Sequence, residues 1–448
     1  MPTADRSLPT ADGRSPAAGA PPSPRYAWYV VGVLTLANLA GWVDRLILSL
    51  LVVPIRRDLG ISDTQMSLLM GLAFSVFYTV LGLPLGWLAD RADRRTLMGW
   101  GVAVWSVMTS ACGFAGSYGR LLLTRVGVGV GEATLNPTAT SFLADYFPPE
   151  RLGTAMSVFS LGTFVGSGLA YVIGGAVVGM LEGQGRIVLP LVGAVHPWQT
   201  AFFVVGAPGM LIALLFLTVK EPPRKPGTHG ASMGELFAYV RRNLRSFTCN
   251  SLGFSLSAMV NFGIAAWLAT FMIRHYGWTA ARAGTVQGVL TMTFGVAGVL
   301  AGGWLADRYA RRGQADGPLR VGVVGALGML VVGTAYPFMP SAWLAVAWLV
   351  PVNFFAAFPW GAANAAAAEV VPARMRAQGA AVYFFVLSLV SSTLGPTLVA
   401  VITDYVFHAD SAVGYSLAIA NVLGMTAAIA VLLYGMPAYR RTIATRDD

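Results

Sequence analysis

Four ionisable residues lie inside stretches otherwise apolar enough for a membrane: Asp44 and Arg45 in NLAGWVDRLILSLLVV, Arg125 and Glu132 in LLLTRVGVGVGEATLNPTATSFLADYFPP. At the bilayer centre each such group costs about 3 kcal/mol on insertion scales, so it demands a partner, a water-filled cavity or a proton. The two acids and two bases form a neutral set when all are ionised. Burial and a nearby positive charge pull a carboxyl's proton affinity in opposite directions. An arginine that moves would therefore switch Glu132 or Asp44 between holding and releasing a proton. Glu132 is the first choice for that carrier and Asp44 the second. Arg45 or Arg125 would then clamp a phosphate or carboxylate head through its planar guanidinium fork. A purely structural reading, in which the four lock two helices together, uses the same residues.

At 100° per residue, seven positions return a helix almost to the same azimuth. Arg125, Gly129, Glu132 and Asn136 thus share one face. Gly127 and Gly131 form a small-residue strip on the other side for close helix packing. Gly129 and Asn136 are expected to leave a gap beside the charges, with Asn136 among the substrate contacts. Arg45 shares its stripe with Asn38 and Ser49, Asp44 with Ala37, Ala40, Leu48 and Leu51. The two neighbours are expected to reach different partners, one facing a cavity and one a packed helix.

The chain that carries them has 448 residues, 56% hydrophobic and 11% charged. Twelve apolar runs of about 20 residues or more, one crossing each, span 27–55, 64–89, 96–116, 121–147, 152–181, 198–219, 247–273, 281–306, 320–338, 342–370, 377–403 and 412–436. They lack the period-two alternation of a membrane β-barrel. The net charge of +10 suggests nucleic acid until the charges are placed. With both termini cytoplasmic, 22 of the 30 Lys and Arg fall on the cytoplasmic side and six (Arg56, Arg57, Arg120, Arg186, Arg274, Arg282) outside. That is the positive-inside bias of a membrane protein, so the bilayer is the partner and nucleic acid is not. Arg56 and Arg57 run against the bias and are expected to snorkel to the interface.

Residues 1–25 read as a disordered cytoplasmic tail without a cleavable signal. Residues 26–219 and 247–437 form two six-helix bundles, and 438–448 a second tail. The linker 220–246 contains MGELFAYVRRNLRSF, a candidate basic amphipathic helix on the inner surface. The outer loop 182–197 is long enough to fold partly on its own. Cys112 and Cys249 fall in apolar runs and read as inert buried thiols. Arginine far outnumbers lysine (only Lys220 and Lys225), an association with GC-rich bacterial genomes that points to a bacterial inner membrane.

GWLADRADRR at 86–95 recurs as GWLADRYARR at 303–312, each closing the second run of its half. A weaker echo follows the fourth run of each half, where Asp145 and Glu369 stand three residues before Pro148 and Pro372. The chain reads as a duplication. The repeated motif resembles that of the major facilitator superfamily, Gly-x-x-x-Asp-Arg-x-Gly-Arg-Arg/Lys. Gly86, Asp90, Arg91, Arg94 and Arg95 match, as do Gly303, Asp307, Arg308, Arg311 and Arg312, while Asp93 and Ala310 replace the second glycine. Asp44-Arg45, RVGVGVGEA and FPPERLGTA together resemble the spinster branch. The resemblance implies an all-α membrane protein of twelve transmembrane helices in two pseudo-symmetric six-helix bundles, the major facilitator fold. It further implies movement of lysophospholipids or sphingolipid phosphates with proton linkage, and a cytoplasmic latch built from the repeated motif. Asp145 and Glu369 are the expected partners of Arg94, Arg95, Arg311 and Arg312, and all these residues are read as conformational gating.

The second half contrasts with the first. Asn250, Ser257 and Asn261 share one helical face, and Asn353, Trp360 and Asn364 another, with no charge at that depth. A cavity between the halves would have one ionic wall and one neutral, aromatic, amide-bearing wall, suited to an amphipathic substrate. Asn261, Asn353, Trp360 and Asn364 are its expected contacts there, although the same amides would also satisfy one another across packed helices. Tyr78, Tyr383, Phe384 and Phe385 are expected to be core packing. GVGVGE follows no strand, and there is no phosphate-cradling loop or metal-ligand cluster. The reading is a monomeric secondary transporter, not an enzyme, without cofactor or metal and with the proton as coupling ion. It moves an amphipathic, anionic, lysolipid-like substrate. A carrier of small organic anions or drugs is the alternative on the same fold, and a non-transporting sensor or scaffold the remote one.

Overall fold

In lipid every backbone N–H and C=O needs a partner within the chain, and long apolar runs meet that demand as helices. The computed structural model describes residues 23–89, 91–181, 183–189, 193–222, 233–372 and 375–445. Span 1 is Pro24–Leu50. Span 2 joins Asp63–Met70 to Leu72–Ala89, and span 3 is Arg94–Cys112. Span 4 joins Tyr118–Glu132 to Leu135–Tyr146; spans 5 and 6 are Pro149–Leu181 and Pro197–Leu215. Spans 7 to 12 are Leu244–Tyr276, Ala280–Arg311, Gly317–Phe338, Ala342–Glu369, Gln378–Phe407 and Asp410–Ala444. By length and composition, ten of these are apolar enough to cross a membrane, and spans 3 and 4 fall short. The architecture is all-α, two pseudo-symmetric bundles of six.

The first run breaks earlier than its hydropathy suggests. Span 1 stops at Leu50, and Val52–Leu59 forms a separate short helix closed by left-handed Gly60. Pro54 cannot donate to Leu50, and its ring crowds that carbonyl. Arg56 on this helix is held by partners within the protein. Its Nε donates to the Ile61 carbonyl at 3.0 Å, and its guanidinium pairs with Asp63 at 3.1 Å and Asp410 at 2.6 Å.

The start of span 1 meets the end of span 6, where Tyr26 donates to the Thr218 carbonyl at 2.7 Å. The end of span 12 meets the start of span 7 through Thr442 and Asn243 at 3.1 Å. The face that holds the start of span 1 and the end of span 12 is here called the terminal face. On the opposite, distal face the bundles are joined. Arg274 of span 7 grips both oxygens of buried Asp63 at 2.7 Å. Thr64 donates from its backbone N–H (2.6 Å) and its hydroxyl (2.7 Å) to Asp404. Nearer mid-depth, Thr79 bonds Ser388 at 2.9 Å.

Loop 182–197 contains an antiparallel pair, β1 (Ile187–Leu189) and β2 (Gly193–Val195). The linker helix forms over Met233–Arg242, burying Leu236 beside Val370 and Val371 while Tyr239 donates to the Val370 carbonyl at 3.2 Å. The tail expected at 1–25 lies outside the described residues up to position 22; Ser23 caps span 1. Residues 223–232 and 446–448 are likewise outside them, and span 12 continues through Ala444.

Candidate functional site

Spans 1 and 4 bring Arg45 onto Glu132. Arg45 Nε donates to Glu132 Oε2 at 2.7 Å, and Nη2 lies 2.6 Å from the same oxygen. The guanidinium is ringed by Trp42 at 5.3 Å, Phe74 at 4.6 Å and Tyr78 at 4.8 Å, whose faces attract a cation. Glu132 Oε1 is buried without a hydrogen-bond partner. Gly41 makes room for the carboxylate, since a Cβ there would stand 3.2 Å from Oε2. The uninterrupted helix expected over 121–147 is bent at this acid: it stops at Glu132 and resumes at Leu135. Pro137 cannot donate to the Ala133 carbonyl, which accounts for the bend.

Arg125 is fully buried and donates from Nη1 to the backbone carbonyl of Asp44 at 3.2 Å. Its Nε has no partner. Asp44 is buried beside it and makes no ion pair with a described residue. Arg45 thus pairs through its side chain with Glu132, while its neighbour Asp44 meets Arg125 through its backbone carbonyl. The gap expected at Gly129 is filled instead: the Phe74 carbonyl oxygen lies 2.6 Å from where a Cβ would stand. That glycine lets the span 2 backbone close on span 4 and leaves no opening. Asn136 donates to Tyr78 Oη at 2.9 Å, so Tyr78 belongs to the ionic site and not to core packing alone. Beside the pair is a space of ≈ 10 Å³, bordered by Asn38, Gly41, Trp42, Arg45, Glu132 and Asn136, room for about one water.

A larger cavity of ≈ 210 Å³ lies between the bundles. Trp42 and Leu46 of span 1 and Phe164, Ser167 and Tyr171 of span 5 face Asn261, Gln287, Asn353, Trp360, Asn364 and Tyr383 of the second half. Four expected contacts, Asn261, Asn353, Trp360 and Asn364, are therefore gathered around one space. Asn250, on the same stripe, is not; both its amide atoms are buried unpaired. Arg125 borders neither space, and no Asp, Glu, Lys or Arg is among the described residues lining the larger one. Trp42 borders both, so its indole separates the ionic pair from the central cavity. Gln287 was not anticipated. In TAARAGTVQGVL it reads as one more polar residue near a helix start.

The repeated motif resolves differently in its two copies. Arg94 pairs with Asp145 and Glu221, both at 2.7 Å, and donates to Ser141 at 2.9 Å. All three belong to the first bundle and its outgoing chain, so this network braces one bundle where a latch between the two was expected. The Arg95 backbone N–H donates to Glu221 at 3.1 Å. Asp93, in the place of the motif's second glycine, caps span 3 by accepting from the Thr96 N–H at 2.7 Å. Burial would raise its carboxyl, but the bonds from Thr96 outweigh that and hold it below the ordinary value. Asp307, Arg308, Arg311 and Arg312 are exposed at the end of span 8, with Arg308 over the Trp304 ring at 5.3 Å. Glu369 accepts from Tyr439 Oη at 3.1 Å. Asp316, also unanticipated, sits between Arg320 at 3.1 Å and Arg440 at 2.6 Å. Asp90 lies outside the described residues.

Residues 33–396 match the family model described as Major Facilitator Superfamily. The chain belongs to the Major Facilitator Superfamily. Its relatives in the superfamily include an "MFS-type efflux pump" of Mycolicibacterium smegmatis, 28% identical over 392 residues and 85% of each chain. Protein spinster homolog 1 of Homo sapiens is 32% identical over 262 residues, 56% of this chain and 47% of that one. The chain thus spans about half the length of this spinster relative. Among solved structures, a bacterial homolog of the human lysosomal transporter spinster, inward-facing and unoccupied, superposes with a TM-score of 0.77 at 27% identity, covering 95% of this chain and 100% of that one. The protein is thus a member of a transporter superfamily, which is not an enzyme class, and within it the chain is similar to spinster proteins.

Proposed function

We propose that the protein is a proton-coupled secondary transporter of an amphipathic, anionic, lysolipid-like substrate. The observation that carries the reading is the Arg45–Glu132 pair, set at mid-depth behind Trp42 and next to an apolar cavity with amide-bearing walls. The acyl chain lies along the aromatic wall, and the phosphate approaches Arg45 when Trp42 turns aside. A proton on Glu132 weakens its hold on Arg45 and frees the guanidinium for the phosphate; its loss restores the pair. Asp44, held next to Arg125, is the second carrier. The charge bias along the loops supports cytoplasmic termini in a bacterial inner membrane, with the monomer as the working unit.

The test is lysolipid uptake into proteoliposomes under an imposed pH gradient. Wild type is expected to respond to the gradient and Glu132→Gln to lose the response. An unchanged pH response in that variant would overturn the coupling assignment. A carrier of drugs or small organic anions is the second reading, favoured by the efflux-pump relative that matches 85% of the chain. Uptake of such solutes with no lysolipid competition would select it.

A further inference from the structure

On the distal face lies another cavity, of ≈ 540 Å³ against ≈ 210 Å³ for the central one, and the two share no lining residue. Because span 1 stops at Leu50, the short helix Val52–Leu59 brings Arg57 and Asp58 to the border of this space. Asp58 commits both oxygens within the protein. Its Oδ2 accepts from Trp198 Nε1 at 2.9 Å, and its Oδ1 lies 3.1 Å from His196 Nδ1. Adjacent Arg57 is exposed and has no hydrogen bond or ion pair with a described residue. One cation is thus left over at the rim, and it is open to solvent. The side chains beside it are reachable too, His196 33% and Asp58 23% exposed. Below these polar groups the wall turns apolar: Leu50 and Val53 face Val178 and Leu181 at the end of span 5 and Ile273 of the second bundle. A guanidinium offers five N–H donors in a planar fork that fits a phosphate or carboxylate. Set beside an apolar wall, it matches a guest with an anionic head and a hydrocarbon tail. The head bonds to Arg57, and the tail takes the wall out of water.

We infer that this distal cavity is a second ligand site, for single-chain amphiphiles with a phosphate or carboxylate head, and that Arg57 holds the head. It is separate from the proposed transport cavity and does not depend on what that cavity carries. Its walls come from both bundles, so an occupant touches each half on the face where Arg274, next to Ile273, grips Asp63.

The test uses purified full-length protein in phosphatidylcholine nanodiscs and decyl phosphate carrying a diazirine at its chain end. After photolysis, mass spectrometry locates the label, which is expected within 50–58, 178–184, 196–198 or 273–280. Excess decyl phosphate or decanoate should suppress that label, and decyltrimethylammonium should not. Inorganic phosphate alone should leave it unchanged; suppression would make this a site for the free anion and overturn the amphiphile class. Arg57→Gln should require ~10-fold more of the phosphate probe for half-maximal labelling. A decanol probe with the same diazirine should need equal amounts in both proteins. Label found only outside these segments overturns the site. An unchanged dose dependence in the folded variant, or equal losses for both probes, overturns the role of Arg57. Labelling confined to the residues around the central cavity would leave the transport reading standing and this inference refuted.

Discussion

The distal-face junction offers the sharpest test of how the bundles are held together. Asp63 is buried, both its oxygens occupied by Arg274 at 2.7 Å, with Arg56 Nε at 3.1 Å. Since Arg274 belongs to the second bundle, two charge-assisted bonds cross between the halves. Asp63→Asn keeps the shape and one acceptor but removes the charge and one bond. A hydrogen bond to a charged group is worth ~1.5–3 kcal/mol. Asp410 stays 2.6 Å from Arg56 and 3.8 Å from Arg274 and offsets part of the loss. A net cost near ~2 kcal/mol corresponds to roughly a 30-fold shift in population. Only the distal-closed form bears it, because opening this face separates the partners in either protein. The variant is therefore expected to populate distal-open molecules. Spin labels at Arg57→Cys and Tyr405→Cys, both exposed distal positions, would report this by pulsed dipolar spectroscopy as a new long-distance component. A folded Asp63→Asn protein with the wild-type distance distribution would refute the argument that these bonds hold the face shut.

Three further outcomes are expected. Arg45→Gln and Glu132→Gln should each lower thermal stability by about 3 kcal/mol, since each strands a buried charge. The double variant should lose much less than the sum; additivity in a double-mutant cycle would show that the pair is not the unit. Gly302→Ala should cost ~1–3 kcal/mol by overpacking, because its Cβ would collide with the Phe358 carbonyl, whereas adjacent Gly303→Ala meets nothing within 4 Å and should melt like wild type. Burial would raise the Asp316 carboxyl, but bonds from Arg440 and Arg320 override it and hold the group below its ordinary value. Its stabilising contribution is thus complete above the unfolded value of about 3.9 and lost as pH falls through the lower folded value. With both arginines partly exposed, Asp316→Asn should cost ~1–2 kcal/mol at neutral pH. Its deficit relative to wild type should shrink on acidification, as melting curves across pH would show.

The twelve spans and the duplication were legible because lipid leaves the backbone so few options and because GWLADR is repeated verbatim. The seven-residue spacing also put Arg125 and Glu132 on one face, and four of the proposed second-half contacts do gather around one cavity. Where the reading slipped, the causes are local. Gly129 was taken for a gap, but an absent side chain is as readily filled by a neighbour's backbone, here that of Phe74. Pro54 and Pro137 announce the breaks at Leu51 and at 133–134, and hydropathy runs conceal them. The distal junction was invisible for another reason. Asp63 stands in the first turn of a helix behind Ser62, where an acid is expected on dipole grounds alone. Its partner Arg274 lies 211 residues away, and no local pattern encodes that pairing.

One indole wall has a thermodynamic consequence. Trp42 is shared by the compartment that would receive cargo and by the pocket around Arg45, so neither occupant can press on that ring without changing the other's surroundings. Any factor by which a proton alters cargo affinity must be returned, unchanged in size, as the factor by which cargo alters proton affinity. A smaller residue at position 42 would alter both factors together, and the two compartments would cease to keep separate accounts of charge and grease.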